Sequence, residues 1–270
     1  MAERPGSLAP YRAVLASRIA SQTAYRPSLA FDLVTAVILG AVELGEVWLL
    51  FHNATVIGGL TFSGVLLVFA LADGSFCIAD VLFGHLDRLP RFIRLGQIDV
   101  FYLRPQPILL QLMTADIRIS RLTRPLVSAA ALVYALTHND IQWGPATIGI
   151  LAMALVCNPV IYSAVFVLAA GLQFFLVNGG EFTNAFVYGG RYASTQPASV
   201  WPTAVKVTLG FMLPLAFTGY LPALVILGLP GQGALQPWLA WLLPAATVWV
   251  VALAAVAWRS GLRHYRGAGG

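Results

Sequence analysis

The chain has 270 residues, of which 59% are hydrophobic and only 10% are charged, whereas a soluble domain has roughly 25% charged residues. This composition excludes an ordinary water-soluble fold. The net charge of +5 does not indicate nucleic-acid binding, because the basic residues lie between long apolar stretches, where anionic lipid is their expected neighbour. The apolar stretches are continuous rather than alternating, which predicts membrane-spanning helices and not barrel strands.

The segment before the first apolar stretch, residues 1–28, is predicted to stay in the cytoplasm. It carries four arginines and has no apolar core of the signal-peptide type, so no cleavage is expected. Tyr11, Leu15 and Ile19 recur every four positions, which is typical of an amphipathic helix lying on the membrane surface. A disordered tail is the alternative.

Six apolar stretches predict an all-α integral membrane protein with one transmembrane domain over residues 29–258 and a short tail over 259–270. The fourth stretch is long enough for two short helices, and Asn158-Pro159 in its middle could break it. A seventh crossing is therefore the alternative. The predicted spans are 29–52, 56–83, 121–138, 146–178, 203–228 and 236–258.

The distribution of basic residues favours six spans. Short cytoplasmic loops collect Lys and Arg, and with six spans all 16 basic residues fall on one side of the membrane, together with both termini. Splitting the fourth stretch would move Arg191 and Lys206 to the outside. One long, tilted or kinked helix is therefore preferred, and both termini are predicted to be cytoplasmic.

The cytoplasmic connection over residues 84–124 combines many arginines with several prolines and a short apolar run. Such a segment is suited to contact a partner protein. A solvated loop on the lipid headgroups is the alternative reading from the residues alone.

Acidic residues inside a span are costly and point to function or to a paired cation. Glu43 and Glu46 share one helix face, are predicted to lie in the outer half of the first span, and could meet a cationic substrate, a proton, a subunit interface or the outer headgroups. Asp73 and Asp80 are predicted to lie near the inner end of the second span and to pair there with cytoplasmic arginines. In the fifth span, Pro214 and Pro222 predict a hinge, a re-entrant turn or a packing kink.

Motifs for enzyme chemistry are missing from the sequence. It contains no HExxH, no GxSxG and no GxxxxGK[ST], so no zinc hydrolase, serine hydrolase or nucleotide-binding loop is predicted. Cys77 and Cys157 lie in apolar runs and are expected to pack. The four histidines are scattered, and no metal site is predicted.

Several segments together resemble a known family. Arg191-Tyr192, Trp201-Pro202 and the run from Phe211 to Ala223 resemble a motif of the ABC type-2 exporter permeases, in their six-span branch. The first part departs from the usual form because residues 193–196 separate Tyr192 from Pro197. Agreement continues at Tyr25-Arg26, at Gly96-Gln97-Ile98-Asp99 with Leu103-Arg104-Pro105, and over residues 258–269.

The resemblance implies a permease subunit of the bacterial cytoplasmic (inner) membrane that exports an amphipathic or lipid-like substrate. Its implied partners are membrane lipid, a second permease, identical or related, and two ABC ATPase subunits, which would hold the ATP and Mg²⁺; this chain would bind no cofactor. Gly96, Asp99, Arg104 and Pro105 would contact the ATPase. The resemblance implies a gate or transport path near the proline-broken fifth span, with Pro214, Tyr220 and Pro222. Glu43 and Glu46 are added to this path because they are acids inside a span. The family motif includes Arg191, Tyr192 and Pro202.

Two other functions compete with this interpretation. An ion-coupled secondary transporter would use the acids of the first two spans and need no ATPase. An intramembrane enzyme would need acids, His or Ser clustered at one depth, which the sequence does not indicate.

Overall fold

The structure is a computed structural model, and the fold that it shows is helical. It describes residues 26–52, 55–104, 106–115, 119–176, 180–181 and 184–265. Residues 1–25 of the predicted N-terminal segment 1–28 lie outside this range, as do Pro105 and the last five residues. The described part contains no β-strand. The α-helices are α1 (Arg26–His52), α2 (Phe62–Phe83), α3 (Leu89–Arg94), α4 (Gln97–Tyr102), α5 (Ile108–Ala115), α6 (Arg124–His138), α7 (Pro145–Gln173), α8 (Gly189–Ser194), α9 (Thr203–Val205), α10 (Tyr220–Ile226) and α11 (Leu243–His264). The shorter 3₁₀ turns are Gly84–Arg88, Ile119–Leu122, Ala198–Val200, Leu215–Phe217 and Pro237–Leu242, and the π-helical turns are Asn184–Tyr188 and Lys206–Met212.

Within the described residues, three helical stretches are long and apolar enough to cross a membrane. They are Phe62–Arg94, Pro145–Gln173 and Pro237–His264, and they match the second, fourth and sixth predicted spans. The fourth stretch is one helix with Pro159 inside it, as preferred from the charge distribution. A fourth crossing results only if two helices bent by 78° count as one span, so the count of six spans stays a prediction.

One end of the helix bundle, here called the turn end, is formed by residues 55–61 and 228–236. Two tight turns close there, each with a pair of backbone hydrogen bonds, between Ile57 and Leu60 and between Gln232 and Leu235. Gly58 and Gly59 have φ of +61° and +84°, a conformation that residues with a Cβ rarely adopt. The prediction that the second span begins at residue 56 was therefore wrong, because a helix cannot start before this turn.

The opposite end, here called the tail end, is formed by residues 84–104 and 259–265. The phenol of Tyr265 donates to Asp99 and that of Tyr102 donates to the carbonyl of Leu262. These bonds connect the predicted cytoplasmic connection to the end of α11. The third predicted span is also shorter than expected, since α6 begins at Arg124 after a 3₁₀ turn.

Helix α2 is the centre of the bundle. Burial differs between the spanning stretches over an apolar 18-residue segment of each. In the stretch that contains α2, 78% of these residues are buried, against 44% in Pro145–Gln173 and 22% in Pro237–His264. Side chains of α6, α7 and α8 pack on it. Its polar residues therefore face protein and not lipid.

Helices α7 and α11 run side by side through very small residues. A Cβ on Gly261 would lie 2.5 Å from the carbonyl oxygen of Gly171, and one on Gly171 would lie 2.6 Å from the backbone of Ala257. Only glycine permits this approach. Because lipid gives apolar helices no hydrophobic reason to associate, close packing of this kind is what holds them together.

The segment over residues 184–200, here called the linking segment, passes from one end of the bundle to the other. Near the tail end Tyr188 donates to Asp87, and near the turn end Ser199 donates to the carbonyl of Gly58. The prediction that Arg191 and Lys206 share one cytoplasmic loop was therefore wrong. Arg191 lies inside the bundle, and Lys206 lies near the turn end, where its amine donates to the carbonyl of Ser199.

Residues 203–226, here called the hairpin, enter and leave at the turn end. The hairpin reaches the middle of the bundle, where Asn158 donates to the carbonyl of Thr218 at 2.7 Å, and then returns until Leu227 packs on Gly64. This geometry favours the re-entrant turn, one of the three alternatives predicted from Pro214 and Pro222, over a straight crossing by residues 203–228. An apolar segment that doubles back has the same hydropathy as one that crosses.

Candidate functional site

Four charged side chains with alternating signs form a chain inside the bundle. Asp73 contacts Arg191, Arg191 contacts Glu43, and Glu43 contacts Arg124. The distances are 2.7 Å from Arg191 Nε to Asp73, 2.6 Å from Arg191 Nη2 to Glu43 and 2.9 Å from Arg124 to Glu43. This interior charge cluster (Glu43, Asp73, Arg124, Arg191) contains two acids and two arginines and is neutral in sum.

Each member of the interior charge cluster comes from a different part of the fold, namely α1, α2, α6 and α8. Asp73 is only 4% exposed and also accepts hydrogen bonds from Ser128 Oγ and from Cys77 Sγ. The guanidinium of Arg191 lies 5.2 Å from the centre of the Phe76 ring, within the range of a cation–π contact. A buried charge is tolerated when it is paired and hydrogen-bonded, and each member of the cluster is paired.

Asp73 and Asp80 pair with arginines as predicted, but Arg191, the partner of Asp73, lies inside the bundle and not in a cytoplasmic loop. Asp80 lies 3.2 Å from Arg121, and Asp73 pairs with Arg191. The placement of Asp73 near the inner end of its span, apart from Glu43, was wrong. Asp73 lies in the middle of α2, level with Glu43, which is in the half of α1 nearer the turn end. Glu43 also pairs with Arg124, which had been assigned to a cytoplasmic loop.

The sequence signal for this site is the number of residues between each side chain and the end of its helix at the turn end. Glu43 lies nine residues before His52, Asp73 lies eleven after Phe62, and Ser128 lies ten before His138. These three helices meet at the turn end and rise 1.5 Å per residue. Equal counts therefore place the three side chains at nearly equal depth.

Glu46 and Tyr192 lie next to the interior charge cluster but outside its pairs. Both line a small cleft with Thr195 and Gln196. Tyr192 is 60% exposed, and Glu46 is exposed on the same side. The structure thus places Glu43, Glu46, Arg191 and Tyr192 of the predicted set together.

The remaining gate candidates lie in the hairpin and do not line this cleft. Pro214 is at the break between its two arms, while Tyr220 and Pro222 are buried on its returning arm. Gly219 touches the carbonyl of Val68, which a Cβ would approach to 2.8 Å. Pro202 directly precedes the hairpin. The break predicted from the prolines is present, at the bottom of a re-entrant turn.

The predicted ATPase contact is a turn between two short helices at the tail end. Gly96 has φ of +64° and joins α3 to α4. Asp99, in the first turn of α4, accepts the hydrogen bond of Tyr265 at 3.0 Å, and Arg104 is exposed just beyond α4. Pro105 lies outside the described residues.

Two stacked aromatic rings attach this turn to the rest of the bundle. The rings of Tyr102 and Tyr265 lie 5.8 Å apart and nearly parallel, and Phe174 at the end of α7 packs on Tyr265. Burial and the hydrogen bond to Asp99 raise the pKa of Tyr265 to about 12. The phenol therefore keeps its proton at physiological pH and remains a donor to Asp99.

No group of three or more His, Cys, Asp or Glu side chains suited to a metal ion occurs among the described residues. Cys77 is buried in the core and Cys157 packs against it. The polar chemistry of the described part is thus ion pairing and hydrogen bonding.

Comparison with known proteins gives the family. A family model described as ABC-2 family transporter protein matches residues 37–269, which include the interior charge cluster, the hairpin and the tail-end turn. Comparisons with curated proteins and with solved structures found no match. The match covers most of the chain and agrees with the apolar helices of the fold. The chain therefore belongs to the ABC-2 family of transporter proteins, which are membrane permease components that work with ABC ATPase subunits.

Proposed function

We propose that this chain is the permease subunit of an ABC exporter in the bacterial cytoplasmic membrane, and that the tail end faces the cytoplasm. The distribution of basic residues supports this orientation. Exposed arginines are concentrated at the tail end, whereas Lys206 is the one described lysine or arginine at the turn end. Cytoplasmic faces carry this excess. The exposed arginines of the described part are Arg88, Arg91, Arg94, Arg104, Arg259 and Arg263.

The crossing segments that we propose are α1, α2, α6 with its preceding turn, α7, the linking segment and α11. This assignment keeps six spans with both termini in the cytoplasm, and it replaces the span over 203–228 by the linking segment. The hairpin then enters the membrane from outside. Its non-helical break at Pro214 is acceptable at that depth because the backbone is buried in protein.

The observation that carries the proposal is the family match together with the attachment of the tail-end turn. A partner pressing on α4 would act directly on α11 through Tyr265 and on α7 through Phe174. We propose that two ATPase subunits bind at Gly96, Asp99, Arg104 and Pro105. Each permease of a pair, identical or related, would receive the movement of one ATPase.

The substrate that we propose is amphipathic or lipid-like. Many large apolar side chains are exposed on the helices, and the acids and arginines of the interior charge cluster are paired with one another. Glu46 stands apart from those pairs, next to the exposed ring of Tyr192. We place these two residues on the transport path, where they would favour a substrate with a cationic end.

The test is to purify the tagged chain gently, identify its partners by mass spectrometry and measure vanadate-sensitive ATP hydrolysis. The proposal predicts a bound ABC ATPase. Replacing Arg104 and Pro105 by Ala should weaken that association or uncouple hydrolysis from transport, while Lys206→Ala at the opposite end should not. A lone chain that transports without nucleotide, and stops when Glu43 and Glu46 become Gln, would instead establish the ion-coupled alternative.

A further inference from the structure

A groove of about 320 Å³ runs along the outside of α7 and α11 towards the tail end. Its walls are apolar and include Val160, Val167, Val251 and Ala255. Val160 and Val251 are each about two-fifths exposed. The volume lies within the range of roughly 300–1,000 Å³ that small-molecule sites occupy.

A cation stands at one end of this otherwise apolar groove. Arg259 lines the groove and is exposed, and no acidic partner lies in salt-bridge range among the residues that the structure describes. Val251 and Arg259 are eight residues apart on α11, which corresponds to about 12 Å along the helix. The groove therefore presents an apolar channel of that length with a positive charge at its mouth.

The floor of the groove is fixed. Its base is the close-packed contact of α7 with α11, in which Ala254 is 3% exposed, and Phe83 at the end of α2 borders it. The groove is thus a standing feature of the surface rather than a gap between loose helices.

We propose that this groove binds one anionic phospholipid of the cytoplasmic leaflet, with an acyl chain between α7 and α11 and its phosphate on Arg259. A lipid supplies both halves of this pattern, since it joins an apolar chain to a negative headgroup. Basic sites between transmembrane helices on the cytoplasmic side suit such headgroups. The inference uses the proposed orientation of the tail end, but it does not depend on the ATPase or on the transported substrate.

The probe is phosphatidylglycerol, compared with phosphatidylcholine, which has the same chains but no net charge. The full chain is purified with its partners, equilibrated with each lipid, and the lipid retained is counted by native mass spectrometry. Arg259→Gln should lower retention of phosphatidylglycerol about fivefold, since one basic residue near an anionic surface contributes about 1 kcal/mol. Arg94→Gln, which removes another exposed charge of the tail end that does not line the groove, should leave retention unchanged.

Two further variants separate the parts of the site. Ala255→Phe should reduce retention by filling the groove while Arg259 remains, and Arg259→Lys should keep most of it. Unchanged retention in Arg259→Gln, equal losses in Arg259→Gln and Arg94→Gln, or equal retention of phosphatidylcholine would each overturn the proposal. Thermal unfolding of every variant shows that the fold is retained, and ATP hydrolysis is not needed as a readout.

Discussion

Two sides of this bundle are held together by opposite kinds of contact. On one side α7 and α11 meet through Gly171 and Gly261, with backbone against backbone. On the other side α1 and the linking segment are connected to α2 by the interior charge cluster, in which Glu43 and Asp73 share Arg191. The first contact is apolar and steric, and the second is ionic.

This difference indicates which side of the bundle can change its arrangement. Interdigitated backbones separate only at the loss of many contacts at once. Ion pairs can exchange partners, and a charged group released from one carboxylate can bind another or bind water in an opened path. We therefore expect the charge-paired side to move during transport and the α7–α11 side to move as one body.

The largest effect is expected from Arg191→Met, which breaks the ionic side. It leaves Asp73 buried without a cation, and removal of one partner of a buried pair costs about 3–5 kcal/mol. Thermal unfolding in detergent or nanodiscs should show a strong loss of stability. The double variant Arg191→Met with Asp73→Asn should recover part of it, and no recovery would show that the pair is not what Arg191 stabilises.

The next effect tests the steric side. Gly261→Ala places a methyl group against the carbonyl of Gly171 and should cost about 1–3 kcal/mol, as overpacking usually does. The matched control is Gly149→Ala in α7, where a Cβ meets nothing within 4 Å. The same unfolding assay should find the control unchanged or slightly more stable, and equal effects in both variants would contradict the close packing.

A smaller effect on stability and a clear one on coupling are expected from Tyr265→Phe. The variant loses the hydrogen bond to Asp99, which contributes about 0.5–1.5 kcal/mol because both groups are partly exposed to water. Transport per ATP hydrolysed should fall, while Tyr134→Phe, a phenol on α6 at the other side of the bundle, serves as the control.

The pKa of Tyr265 gives this prediction a pH signature. Because its pKa is raised to about 12, the contribution of its proton is complete below the ordinary value near 10 and is lost only as the pH rises through about 12. The ratio of transport between Tyr265→Phe and the unchanged protein should therefore be the same at pH 6.5 and pH 8.5. A ratio that changes between these values would show that another group titrates in the coupling step.

The smallest effect on stability is expected from Glu46→Gln. Glu46 is exposed and outside the ion pairs, so the free energy of unfolding should change by no more than about 0.5 kcal/mol. Transport of a cationic amphipathic substrate should decline, and transport of a neutral one should not. If Glu46→Gln changed the transport of both substrates to the same extent, Glu46 would not lie on the transport path.

The sequence allowed the helical fold, the single long helix over Pro145–Gln173 and the pairing of Asp73 and Asp80 to be predicted. These depend on hydropathy and on the cost of a lone charge, which are local properties. The linking segment and the hairpin could not be separated in this way, because hydropathy does not record direction. Arg191 was misplaced for a related reason, since a charge count treats every arginine as a loop residue, whereas a paired arginine can lie inside.

To predict that the four residues form one cluster, the depth of each side chain in the bundle would have had to be known. Glu43 and Asp73 were each identified as unusual, yet they were assigned to different depths because the start of the second span was set before the turn at Gly58. The ends of the helices, which fix depth, are the least certain part of such a prediction.

The most direct test measures distances on both sides in one protein. Cys77 and Cys157 are first replaced by Ala, and spin labels are placed at exposed positions, Val42 with Val200 on the charge-paired side and Val156 with Val256 on the α7–α11 side. In the assembled transporter, pulsed electron paramagnetic resonance with and without ATP and vanadate should show a shift for the first pair and an unchanged distance for the second. A shift confined to the α7–α11 pair, or no shift in either, would contradict this account.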